Sequence, residues 1–90
     1  MNYKQIARRI PDNVRSQIIL SEENPITKAV PVQVNYHMNL LFEVWFTFIE
    51  PNTTKKYNCP ICLQNILDNF RQMKGALVEL EKENQLLNSI

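Results

Sequence analysis

Residues 63–87, "LQNILDNFRQMKGALVELEKENQLL", repeat an apolar residue every three or four positions without interruption by proline. Written as heptads, Leu63, Ile66, Phe70, Met73, Leu77, Leu80, Asn84 and Leu87 fall at a and d, and seven of these eight are apolar. That period predicts one long helix with a single apolar seam, of the leucine-zipper type. Asn84 falls at an a position, where a paired amide fixes register and favours a dimer. Gly75 falls at the outer f position, where it weakens the helix by about 1 kcal/mol and leaves the seam intact. The same period also serves a helix that folds back onto another helix of its own chain, so the pattern predicts the seam and not its cover.

Two residues upstream of that run fix where the helix begins. Cys59 is placed to cap it and Pro60 stands at its first position, where a missing N–H costs nothing. Further upstream, "YHMNLLFEVWFTFIE" (residues 36–50) reads as a second, aromatic helix, with Asn35 as its N-cap and Pro51 as its stop. Leu41, Val44, Trp45, Phe48 and Ile49 make one stripe, and Leu40, Phe42 and Phe46 fill much of the remaining circumference. A helix apolar nearly all round is a buried helix. A chain of 90 residues has little else to enclose it with, so cover by a second copy or a different protein is expected. The expected interface residues are Trp45, Phe48, Phe70, Met73, Leu77, Leu80, Asn84 and Leu87.

The first 34 residues read differently. Residues 3–10, "YKQIARRI", suit a short helix ended by Pro11, whereas Pro25 and Pro31 disfavour helix over residues 18–36. Ile26, Val30, Val32, Val34 and Tyr36 alternate with other residues as in a strand, although Lys28 breaks the series. Pro31 confines such a strand to an edge or to an extended arm that lies on another surface. The expected architecture is all-α: an N-terminal arm (1–34), then a helical hairpin ending in a coiled coil (35–90).

Composition narrows the function classes. Ten Lys+Arg against nine Asp+Glu give no global field towards nucleic acid or anionic lipid. A single glycine excludes Gly-rich nucleotide loops. The most apolar run, "MNLLFEVWFTFI", is too short to span a bilayer and contains Glu43. The opening "MNYKQIARRI" lacks an apolar h-region, so the expected location is the cytoplasm or a virion, without export through a signal peptide. Lys4, Arg8, Arg9 and Arg15 form a small basic cluster that suits a solvated helix face better than a phosphate track, with only Tyr3 available for stacking.

The segment "CPICL" (59–63) resembles the first metal knuckle of RING-type domains, but no Cys or His follows Cys62. His37 is the one histidine, and tetrahedral structural zinc needs four ligands. Cys59 and Cys62 of two chains would supply four thiolates, an arrangement that resembles the zinc hook of some long coiled-coil proteins. Zinc shared across a dimer is therefore the alternative to a chain without a cofactor. CPxC at a helix start is also similar to a glutaredoxin active site, where the helix dipole and nearby cations such as Lys55 and Lys56 favour the thiolate, but that fold surrounds the motif with strands. The plainer reading makes Cys59 a cap and Cys62 a small buried packing residue.

With its aromatic helix "LLFEVWFTFI" and Cys-headed helix "CPICLQNILDNF", the chain resembles small bacteriophage proteins, including virion components that clip onto larger assemblies. The resemblance spans roughly residues 38–70 and implies a structural, non-enzymatic role, with homo-oligomers or a larger protein assembly as partners. A dimeric zinc module touching nucleic acid is the competing expectation.

Overall fold

The computed structural model describes residues 2–21 and 27–88, with side chains described as far as Leu87. The described residues are helical with no strand: α1 (Tyr3–Ala7), α2 (Asp12–Ser21), α3 (Tyr36–Val44), a π-helical continuation of α3 (Trp45–Ile49), and α4 (Pro60–Asn88). The all-α expectation holds. At 29 residues α4 is about 44 Å long, which matches the 45 Å length of the molecule. The other helices pack along it.

Local sequence explains each boundary. Asn2 accepts the N–H groups of Lys4 and Gln5 at 3.1 and 3.2 Å, capping α1. Pro11 both ends the first helical stretch and starts the next, because its carbonyl accepts from Val14 and Arg15 at 3.0 and 2.9 Å. Asn35 caps α3 by accepting from the Met38 N–H at 2.8 Å, as its position predicts. At the far end of the aromatic helix the Glu50 N–H reaches back five residues to the Trp45 carbonyl at 2.8 Å. This wider turn buries Trp45, Phe46 and Ile49 and leaves Thr47 outside. The sulfur of Cys59 accepts from the Cys62 N–H at 3.2 Å, so the expected cap of α4 is present.

Three expectations are corrected by the packing. First, one chain suffices to bury the aromatic helix. Phe42 is wholly enclosed, its ring 4.8 Å from Phe46 and 4.7 Å from Tyr57, and Trp45 meets Phe70 edge-on at 6.1 Å. What a two-helix hairpin lacks in cover, α1, α2 and the following loop supply through Ala7, Ile10, Ile18 and Val32.

Second, the N-terminal third is not a free arm. Helix α2 has no continuous apolar stripe because a charge sits on its inner face: Arg15 is buried beside Ile18, while Leu20 is exposed. The Arg15 guanidinium donates to the carbonyls of Ile10 (2.7 Å) and Ala7 (3.3 Å) and pairs with Asp12. It therefore serves the Ile10 carbonyl and adds a second donor to that of Ala7, which already accepts the Ile10 N–H at 3.1 Å. Arg9 does the same for Ile49 at 3.5 Å, tying the first helical stretch to the end of the π segment.

Third, the alternating segment is not a strand. Among the described residues 27–35 is irregular, with a turn at 32–34 in which the Val34 N–H donates to the Pro31 carbonyl at 3.2 Å. Pro25 and Ile26 lie outside the described residues. Val32 points into the core and Val34 out to solvent. A neighbouring strand is replaced by one side chain: Gln64 of α4 accepts from the Ala29 N–H at 2.8 Å and donates to the Thr27 carbonyl at 3.2 Å.

Candidate functional site

The heptad seam divides into two parts. Leu63, Ile66, Phe70, Met73, Leu77 and Leu80 are all buried within the chain's own core, together with Trp45, and Phe48 is half-buried against it. Asn84 is half-buried, and Leu87, one heptad beyond Leu80, is 71% exposed. Of the eight expected interface residues, the structure leaves Asn84 and Leu87 at the surface end of α4 and takes most of the others inside. Leu86 is also largely exposed there.

The covered part of α4 is held by polar contacts as well as apolar ones. Tyr3 donates to Gln72 at 2.8 Å, and Ser16 donates to Glu81 at 2.8 Å. Lys4 bridges Glu79 at 2.8 Å and Glu83 at 3.4 Å. Its hydrogen bond to Glu79 raises the Lys4 pKa above the usual lysine value and lowers that of Glu79. Lys4, Arg9 and Arg15 are thus engaged within the chain, and Arg8 is exposed.

At the opposite end of α4, Cys59 and Cys62 are joined by a disulfide, their Cα atoms 5.2 Å apart. Both are half-buried. Cys62 is therefore a bonded partner of the cap rather than the free packing residue expected. Two grooves flank the knuckle. One, of about 160 Å³, is lined by Trp45, Glu50, Thr54, Lys56 and Cys62 among others. The second, of about 320 Å³, lies between Val30, Pro31 and Gln33 on one side and Tyr57, Pro60 and Leu63 on the other. Lys55 bonds Glu43 at 2.8 Å, which raises the Lys55 pKa and leaves Lys56 as the lysine in the groove with Cys62.

Comparison with protein-family models, with curated proteins and with solved structures finds no match. Function rests on the site itself.

His37 stands apart from the cysteines. It is buried between α2 and α4, and its Nδ1 shares a 2.7 Å hydrogen bond with the Ser21 hydroxyl. The same Ser21 hydroxyl lies 3.0 Å from the Ile18 carbonyl, within hydrogen-bonding distance of both groups. Among the described residues no group of three or more His, Cys, Asp and Glu side chains converges on a metal position. Zinc shared across a dimer would require the reduced form of Cys59 and Cys62 from each of two chains. No described helix is long and apolar enough to cross a membrane.

Proposed function

We propose that this chain is a non-enzymatic structural component that docks, through the exposed Leu87 end of α4, on a second copy of itself and on a larger protein assembly. One observation carries the reading: the seam's a/d spacing runs past the part covered within the chain, to Asn84 and the exposed Leu87. Two seam positions per chain bury little, and a stable interface takes on the order of 1,000 Å². Self-association through them is therefore weak, and the durable partner is a larger body whose groove receives the helix end. The bacteriophage resemblance of the two central helices favours a virion as that body.

Light scattering across a concentration series tests the self-associating arm of this reading. The wild type is expected to rise above the 10.6 kDa of one chain, and Leu87→Asp to stay there with an unchanged helical spectrum. A wild type fixed at one chain's mass throughout removes that arm.

A further inference from the structure

We infer that the Cys59–Cys62 knuckle is a reversible thiol–disulfide exchange site for low-molecular-weight thiols, with Cys62 as the attacked sulfur and Cys59 as the leaving thiolate. Three features on the molecule assign these roles. The pair is oxidised and half-buried rather than sealed in the core, so a small thiol reaches it. Cys62 lines the groove of about 160 Å³ that opens beside it, and Lys56 lines the same groove, with Glu50 as the opposing charge. Cys59 occupies the cap of a 29-residue helix, and its sulfur already accepts the Cys62 N–H at 3.2 Å. A thiolate formed there inherits that hydrogen bond and the positive end of the helix dipole.

The chemistry balances with two equivalents of thiol. An incoming RS⁻ bonds to the Cys62 sulfur as the Cys59–Cys62 bond breaks, and its electron pair leaves on Cys59 as the thiolate. A second RS⁻ attacks the mixed disulfide, forms RSSR and releases Cys62 as a thiolate that takes up a proton from water. Two thiols are oxidised and one disulfide is reduced. The reverse sequence, driven by RSSR, restores the knuckle. Reduction leaves the helix cap in place, because Cys59 still accepts the Cys62 N–H. The exchange therefore proceeds on the folded chain.

Glutathione is the probe. The full chain is equilibrated with reduced and oxidised glutathione at a series of ratios, quenched with acid, alkylated and weighed. The expected result is a reversible two-electron transition with helical content retained at both ends. In Cys59→Ser, oxidised glutathione should add one adduct to Cys62. In Cys62→Ser, the pH profile of iodoacetamide alkylation should place the Cys59 thiol well below the ordinary cysteine value of about 8.5. An ordinary profile for Cys59 overturns the assignment of the leaving group. A reduced chain that takes up half an equivalent of zinc and then resists reoxidation by oxidised glutathione overturns the exchange site altogether. The alkylation profile reads the cysteine chemistry directly, even if one variant alters stability.

Discussion

Leu80 and Leu87 are successive d residues of one helix, seven positions apart, yet Leu80 is 5% exposed and Leu87 is 71% exposed. The sequence pattern treats them alike. The difference lies in what the rest of the chain can reach: α1, α2 and α3 lie along α4 and cover its seam through Leu80. A heptad states which face of a helix is buried, and the number of other helices available states who buries it. In this chain two short N-terminal helices help convert most of a zipper seam into a core and leave its last d residue, Leu87, exposed.

The largest expected effects come from substitutions within the covered part. Leu80→Asp places a charge in the core and should unfold the chain, whereas Leu87→Asp should shift stability by less than about 0.5 kcal/mol. Chemical denaturation followed by circular dichroism reads both, and equal effects at the two positions would erase the contrast. Trp45→Ala should cost about 3–5 kcal/mol, a large part of the stability of so small a domain. Retention of the wild-type midpoint would mean that the aromatic helix is not the core.

Intermediate effects test the N-terminal cover. Arg15→Ala removes the side-chain donor from the Ile10 carbonyl and one of two donors from that of Ala7, and should cost about 1–3 kcal/mol. Hydrogen exchange in that variant should rise first over α1 and α2; uniform loss of protection would show that the cover and the hairpin unfold together. The Cys59–Cys62 bond closes only a short ring, so by chain entropy its reduction should cost about 2 kcal/mol.

The smallest effect is the Lys4–Glu79 clamp, which is exposed and screened by solvent. The Glu79 carboxyl is held below its ordinary 4.5, so its contribution is present above that pH and fades as pH falls through the lowered value. The Lys4 ammonium is held above 10.5, so its contribution is present below that pH and fades as pH rises through the raised value. The stability difference between wild type and Lys4→Met should therefore be confined to the window between the two and shrink in high salt. A difference that persists at pH 2 would trace to packing of the lysine stem.

Much of this was legible in the sequence because it is local. Asn35, Pro51, Cys59 and Pro60 announce their helix ends through side-chain chemistry that acts within one turn, and the seam of α4 follows from its period. Helix α2 was not legible, because Arg15 on its inner face looks like a break in an apolar stripe until the carbonyls it serves are seen. The strand pattern at 26–36 misled for a related reason: backbone pairing by Gln64 comes from a residue more than 30 positions away. The disulfide was not legible: the CPIC spacing suggested a metal knuckle, a dithiol active site or a cap beside a packing residue, and only the placed sulfur atoms show the bond.

Hydrogen–deuterium exchange along α4, measured at a series of protein concentrations, addresses the two-part seam most directly. Residues 63–80 should keep the same protection at every concentration, because their cover travels with the chain. Residues 81–87 should exchange quickly when dilute and gain protection as concentration rises. Loss of protection over 63–80 on dilution, or protection over 81–87 that ignores concentration, would contradict the division between an internal seam and a docking end.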